Sequence, residues 1–318
     1  MNARNILILF LIMAAATQLL AQEDFSRELA APGNLRFTWI HGSISAKANT
    51  DVRIQVHRYN EHTYILRQNP AIHWEAPFMY LLMGNQQALL LDAGATEEEE
   101  FFPLNGVIDG ILQSWAHAHR AEIPDLIVMP LGSDQSQTAA LDQFAERSET
   151  NIFAPGSEAR ADVIADQQLD LGGRVLSVVP TPGLNDLAIT IYDPWSDLLF
   201  TGNTFYSGRL VIRDFDAYRG SLQRLVQLAQ EVPISHIFGG RIEMTNRPGL
   251  DHRLRSNYRP GEHSLQLEPG LLETALQTVN LINGQTDIRI LDDFILMNGV
   301  GRGARQWGFP VYIPEEFT

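Results

Sequence analysis

Hydrophobic and polar positions form two kinds of pattern along this chain, a helical period and short apolar runs, which predicts strands alternating with helices. Across residues 104–115 apolar side chains recur every three or four positions, as they do on the buried face of a helix. Phe78–Met83 and residues 88–91 are short apolar runs on either side of Gly84-Asn85, a pattern typical of a β-hairpin. Because the helical pattern and the strand pattern follow one another along the chain, the sequence indicates a mixed α/β protein.

The same patterns predict further elements and a domain organisation. We expect helices at 136–147, 158–164 and 215–229, and strands at 126–129, 151–154, 175–179, 187–192, 198–200 and 234–238. Strands outnumber helices and several are linked as hairpins, which favours mixed sheets covered by helices. We predict an irregular N-terminal extension over 22–67, one folded domain over 68–268, and a C-terminal helix and strand addendum over 269–318 that packs on it.

The first 21 residues have the layout of a secretory signal peptide. One basic residue, Arg4, precedes an apolar run over 6–16, and the small residue Ala21 follows. The run is shorter than the ~20 apolar residues that span a bilayer, so cleavage is favoured over an uncleaved membrane anchor. We therefore expect a periplasmic or secreted protein with no stable membrane insertion after cleavage.

Charge and cysteine content narrow the chemistry. Acidic residues outnumber basic ones 38 to 23 among 318 residues, and the net charge of −15 argues against nucleic acid as a partner. The absence of cysteine excludes a disulfide framework, a thiolate zinc site, a cysteine nucleophile and a lipid-modified cysteine anchor. Nine histidines leave a histidine and carboxylate metal site open.

Three motifs, in order, carry a resemblance to a known family. The first is an apolar strand that ends in Asp92-Ala-Gly94; the second is Thr181-Pro-Gly183 followed by Phe200-Thr-Gly-Asn203; the third runs from His236 to Thr245. Together they resemble the metallo-β-lactamase superfamily, in particular an exported hydrolase-like subgroup, over roughly 64–266. The resemblance implies a four-layer αββα sandwich with a site at one edge, where loops leave the strands.

The resemblance also implies one or two metal ions, usually zinc, which polarise the substrate and lower the pKa of a bound water to ~7. The positions of this chain that match the family's ligands are Gly132, Asp134, Ser136, Gln137, Leu184, Asn203 and Arg241. None of them is histidine, and only Asp134 is a strong ligand for a hard metal. Shifting the alignment does not help, because no histidine lies between Arg120 and Ser235. We expect that zinc is absent and that the protein uses no other cofactor.

An arginine at a former ligand position suggests what could replace the metal. We expect the Arg241 guanidinium to stand in for the lost cation by donating to Asp134 and to the amide oxygen of Asn203. The alternative is a pocket closed by ordinary packing, with Leu184 among its side chains.

Two groups of histidines elsewhere are weaker candidates for a displaced metal. His117 and His119 form a His-x-His sequence at the end of a predicted helix, where residues two apart do not face each other. His252 and His263 form a looser group with Asp251 and Glu262.

These observations lead to two functional hypotheses. We predict a non-catalytic pseudoenzyme that kept the fold and acts outside the cytoplasm as a binding or accessory protein for a small molecule or a protein. The alternative is a hydrolase of ester, thioester or lactam bonds that works through a displaced metal or a metal-free site. No residue of the chain is assigned a catalytic role.

Overall fold

The structure of the protein is a computed structural model that describes residues 23, 25, 26 and 29–301. The predicted signal peptide therefore lies outside the described residues. The strands are β1 (Ile54–Asn60), β2 (Thr63–Gln68), β3 (Phe78–Met83), β4 (Gln87–Leu91), β5 (Asp125–Met129), β6 (Thr150–Ile152), β7 (Gln168–Asp170), β8 (Val175–Pro180), β9 (Ile189–Asp193), β10 (Leu198–Gly202), β11 (Arg209–Ile212), β12 (His236–Gly239), β13 (Gln266–Leu267), β14 (Asp287–Ile290) and β15 (Ile295–Asn298). The α-helices are α1 (Leu104–His119), α2 (Gln135–Thr138), α3 (Glu158–Asp166), α4 (Phe215–Glu231) and α5 (Leu271–Ile282).

Two six-stranded mixed sheets form the centre of the molecule. In the first sheet the strand order is β1-β2-β3-β4-β5-β6, antiparallel from β1 to β4 and parallel from β4 to β6. In the second sheet the order is β13-β12-β10-β9-β8-β7, and its one parallel pair is β10 with β12. Strands β11, β15 and β14 form a small third sheet. The hairpin predicted around Gly84-Asn85 is confirmed as β3 and β4.

The central strands bury both faces, and this produces four layers. In β4, Leu89 and Leu91 belong to the core between the two sheets, whereas Ala88 and Leu90 belong to a second core on the outer face. The second core includes Leu112 and other side chains of α1. Strands buried on both faces read as continuous apolar runs rather than as alternating ones, which explains the sequence of β4.

The second sheet is covered in the same way on its outer face. A third core joins Leu199 of β10 to Leu222 and Leu225 of α4 and to Ala275 of α5. The layers are therefore helix, sheet, sheet, helix, and the predicted αββα sandwich class is confirmed. Glycine is required where α4 meets the loop before β9, because a Cβ at Gly183 would lie 2.4 Å from the Cα of Tyr218.

A fully buried ion pair fastens the two sheets together. Arg174 precedes β8 and donates to both carboxylate oxygens of Asp193 in the second sheet, at 3.3 and 2.6 Å. The same guanidinium donates to the carbonyl oxygens of His62 and Met83 and to the hydroxyl of Thr63, all in or next to the first sheet. Because these acceptors belong to strands and a turn of both sheets, Arg174 fixes the position of one sheet relative to the other.

Two predicted elements are wrong. Residues 54–67, predicted as part of an irregular extension, lie in β1 and β2 of the first sheet. Polar residues made this stretch look like a loop, but Arg67 and Gln68 are buried and bonded to Glu262 and Thr96 respectively. The helix predicted over 136–147 is split into α2 and a 3₁₀ turn at Leu141–Phe144.

The split in that helix has a specific cause. The backbone N–H groups of Ala139 and Ala140 donate to the carbonyl oxygens of Gly94 and Ala93, and the N–H of Ala93 donates to the carbonyl oxygen of Gln137. These bonds to the end of β4 replace continuation of the helix. The chain that carries Asp134, Ser136 and Gln137 is thereby fastened to the loop that follows Asp92.

Within the described part of the chain, no helix has the length and apolarity to cross a bilayer. The helix and strands expected in 269–318 are α5, β14 and β15.

Candidate functional site

Loops at one edge of the sandwich surround a cavity of about 380 Å³. Asp134 and Ser136 follow β5, Leu184 follows β8, Asn203 follows β10 and Arg241 follows β12. All four of these strands present their carboxyl ends to the same edge. The remaining lining residues are Glu75, Gln135, Tyr206, Arg209, Val211 and Arg213.

The seven positions predicted from the sequence come together here. Five of them line the cavity, and Gln137 lies behind it with its amide oxygen 3.2 Å from Nδ2 of Asn203. Gly132 lies against Gln137, since a Cβ at Gly132 would be 2.5 Å from that amide oxygen. The cavity is open beside Asn203 and Arg241, so the alternative of a pocket closed by packing is not what the structure shows.

A directed chain of hydrogen bonds runs from the cavity wall into the core. Arg241 donates through Nη1 to Glu75 and through Nε to Oδ1 of Asn203, at 3.2 Å in the second case. Asn203 donates through Nδ2 to Oε1 of Gln137, and Gln137 donates through Nε2 to both oxygens of Asp92, at 3.1 and 3.2 Å. Each amide in the chain accepts on one side and donates on the other, so the orientation of both amides is fixed.

Asp134 has a different set of partners from the one expected. Nδ2 of Asn203 donates to its Oδ2 at 3.0 Å, and Nδ2 of Asn185 lies 3.4 Å from its Oδ1. Its cation is Arg213, whose Nη2 lies 3.4 Å from the same Oδ1. The expectation for Arg241 is therefore half right: it donates to Asn203, but its carboxylate partner is Glu75 rather than Asp134.

Asp92 is the last residue in this series of hydrogen bonds, and it is fully buried with a backbone φ of 65°. Burial raises the pKa of its carboxyl from 3.8 to about 7, against the opposing effects of the Leu131 N–H, the Gln137 amide and two arginines. The N–H of Leu131 donates to it at 2.6 Å, which ties the loop of Gly132 and Asp134 to the end of β4.

The donor set at this cavity does not fit a catalytic zinc ion. Such an ion takes three or four nitrogen, sulfur or carboxylate donors. Gly132 and Leu184 supply no side-chain donor, Arg241 supplies a cation, and the Asn203 amide oxygen is already bonded to Arg241. Glu75 is a carboxylate at the wall, but it forms an ion pair with the same guanidinium. Two carboxylates, each beside an arginine, do not make a zinc site.

A second group of possible metal ligands lies at the far end of β2. One ligand atom each from Glu61, His62 and His119 fall within 4.8 Å of one another. Nδ1 of His119 lies 2.8 Å from the carbonyl oxygen of Trp115, which leaves Nε2 facing Glu61. Nδ1 of His62 accepts from the Trp115 indole at 3.2 Å, so the ring is in the tautomer that protonates Nε2. His62 is therefore a poor ligand as it stands.

In the group of His252 and His263, the two carboxylates form ion pairs with arginines and are not arranged around a metal. Glu262 accepts two hydrogen bonds of 2.6 Å from Arg67, and Asp251 lies 2.5 Å from Arg209. Burial lowers the pKa of His252 to about 4, and Nε2 of His263 lies 3.0 Å from Asp293.

Several residues of the site were not predicted from the sequence. Glu75, Tyr206 and Arg213 match none of the seven ligand positions, although the segment that begins at Glu75 also resembles the subgroup. They are found through position alone, because Glu75 precedes β3 while Tyr206 and Arg213 flank β11.

Comparison with known proteins gives structural similarity only. No family model matches the chain, and no curated protein matches it. The chain is similar in structure to a metallo-β-lactamase from Pontibacter korlensis, with 16% identity, a TM-score of 0.47, and coverage of 71% of this chain and 99% of the other. It is also similar to the DIM-1 metallo-β-lactamase, with 11% identity, a TM-score of 0.44, and coverage of 61% and 91%. For ETHE1 from Myxococcus xanthus the identity is 21%, the TM-score 0.40, and the coverage 52% and 71%.

Proposed function

We propose that this chain is an exported member of the metallo-β-lactamase superfamily that has lost the zinc site and acts as a non-catalytic binding or accessory protein. The observation that carries the proposal is the place of Arg241. Its guanidinium stands where the sequence resemblance puts the last ligand and is held there by Glu75 and Asn203. A fixed cation at that point repels a metal ion and neutralises a wall carboxylate without one.

The cavity itself favours binding over a purely structural role. A pocket that had lost its purpose would be expected to fill with side chains, since interiors pack to high density. Here about 380 Å³ stays open, which lies within the range of small-molecule sites. Arg241 and Asn203 on the wall are held by the hydrogen-bond chain and do not need to rearrange for a ligand.

Export is part of the proposal and rests on residues 1–21. N-terminal sequencing of the protein from its native host, after separation of cytoplasm from periplasm and medium, tests it. We expect a mature protein that begins near Gln22 and is absent from the cytoplasm.

The alternative is a hydrolase with a displaced metal, and the group formed by Glu61, His62 and His119 is the observation that favours it. His62 precedes the start of β2, whereas Glu75 of the cavity precedes Phe78, which pairs with Arg67 near the end of β2. The two sites therefore lie at opposite ends of β2, and a metal in this group would be outside the cavity.

Turnover measurements separate the two functions. The mature protein is assayed on generic ester, thioester and lactam substrates, with added zinc and after chelator treatment. We expect no turnover above that of a denatured control in either state. Turnover that a chelator removes and zinc restores would support the hydrolase, and the variant His119→Ala would show whether the second group holds the metal.

A further inference from the structure

We propose that the cavity binds a small organic acid, with its carboxylate held between Arg213 and Arg241 and its hydrocarbon part against Leu184 and Val211. This inference rests on the proposed binding function and names the chemical class of its ligand.

Arginine side chains are abundant on the cavity wall although the protein as a whole is acidic. Three arginines line the cavity against two carboxylates, Glu75 and Asp134, whereas the whole chain carries −15. Arg209 is neutralised from behind by Asp251, at 2.5 Å. Arg213 and Arg241 are then matched in charge by Glu75 and Asp134, so the cavity offers two guanidinium groups without net charge. Such a wall suits a monoanion, and the acidic surroundings disfavour ligands of higher negative charge.

Arg213 is the arginine that can be recruited at low cost. Its side chain is 63% exposed, and its contact with Asp134 is a single one at 3.4 Å. Exposed pairs of this kind contribute little free energy. Asp134 keeps the amides of Asn203 and Asn185 when Arg213 turns to a ligand, so no carboxylate is left without a donor.

Arg241 supplies the fixed half of the site. Its Nε and Nη1 are bonded to Asn203 and Glu75, and its guanidinium lies 5.2 Å from the ring centroid of Tyr206. The same residue lines the cavity, so its guanidinium is placed to meet a ligand there. A guanidinium already held in place loses little entropy on binding a carboxylate.

Apolar side chains also line the cavity. Leu184 and Val211 line the cavity, and Leu184 occupies a position where the sequence resemblance implies histidine. A leucine there cannot bind a metal or a water, but it can cover several methylene groups or a ring. The combination of a carboxylate clamp with an apolar wall fits an organic acid better than an inorganic oxyanion.

Calorimetric titration of the mature protein with matched probes tests the inference. Hexanoate and benzoate are compared with hexanamide and benzamide, which keep the shape and remove the charge, and with acetate and inorganic phosphate, which keep a charge and remove the hydrocarbon. We expect hexanoate or benzoate to bind at least about tenfold more tightly than the matching amide, acetate or phosphate. Equal affinity for the amides, or for acetate and phosphate, would overturn the inference.

Two variants localise the binding. Arg213→Gln is expected to weaken carboxylate affinity at least about tenfold, while Arg289→Gln, an equivalent change at an exposed arginine paired with Asp287, leaves it unchanged. Wild-type affinity in Arg213→Gln would refute the site. Arg213→Gln decides the outcome by itself, so the test does not depend on whether Arg241→Gln folds. Failure here leaves the zinc-free proposal intact, because that proposal is tested by metal content and turnover.

Discussion

Arg241 and Asn203 are joined by a hydrogen bond of 3.2 Å from Nε to Oδ1, and this contact sets the polarity of the whole site. Because the amide oxygen accepts from the guanidinium, the amide nitrogen must face Asp134 and Gln137. The amides of Asn203 and Gln137 thus present fixed N–H donors to the carboxylates of Asp134 and Asp92.

Replacement of Asn203 by a carboxylate should disturb the site although the shape is kept. In Asn203→Asp the group that donates to Oδ2 of Asp134 at 3.0 Å and to Gln137 at 3.2 Å becomes an acceptor. We expect a loss of about 1–3 kcal/mol in the free energy of unfolding at neutral pH, measured by urea denaturation. The matched control is Asn151→Asp on the exposed part of β6, which should stay within about 0.5 kcal/mol. Equal effects in the two variants would contradict the fixed amide.

Removal of the guanidinium should cost more. Arg241→Met takes the charge away from Glu75, whose side chain is only 12% exposed. We expect a loss of about 3 kcal/mol or more in unfolding free energy, because one partner of a buried pair then remains charged. Adding Glu75→Gln to this variant should recover part of the loss, and a double-mutant cycle measures the coupling. A cycle with no coupling energy would show that the pair does not stabilise the site.

The buried carboxyl of Asp92 should make stability depend on pH. Because burial raises its pKa from 3.8 to about 7, the folded state binds the proton more tightly than the unfolded chain does. Its contribution to stability is fully present below about pH 4 and is lost as the pH rises to about 7. Wild type should lose about 2–3 kcal/mol more unfolding free energy than Asp92→Asn between pH 5 and pH 8. Parallel pH profiles of the two proteins would rule out this titration.

The ion pair between the sheets gives a test of the fold. Arg174 and Asp193 are both fully buried, so Arg174→Met leaves an uncompensated carboxylate in the core. We expect a loss of about 3–5 kcal/mol, seen as a lower urea midpoint. Arg219→Met, at a surface arginine paired with Asp216, should cost less than about 1 kcal/mol. Similar midpoints for the two variants would contradict the role of the pair.

The sequence predicted the layers well because periodic burial is local information. The hairpin of β3 and β4 and the amphipathic helix α1 each carry their pattern within 16 residues. Strand β2 was missed because its buried polar side chains are satisfied by distant partners; Arg67 bonds to Glu262, which is 195 positions away. No local pattern reveals such a partner.

The sequence predicted which residues lie at the site but not which carboxylate pairs with Arg241. Family motifs located Asp134, Asn203 and Arg241, and the structure brings them around one cavity. The partner of Arg241 was misassigned because Glu75, in the loop before β3, matches none of the seven ligand positions. The choice between two carboxylates depends on distances across the cavity, and these are a property of the folded chain.

Metal content is the most direct test of the central claim that an arginine-centred network has replaced the zinc site. The mature protein is dialysed against zinc, then against buffer, and its bound metal is counted by mass spectrometry beside the variant His119→Ala. If the network replaces the zinc site, both proteins bind far less than one zinc per chain. One or two zinc ions per chain that persist in His119→Ala would place a metal outside the second histidine group and show that the zinc site is retained.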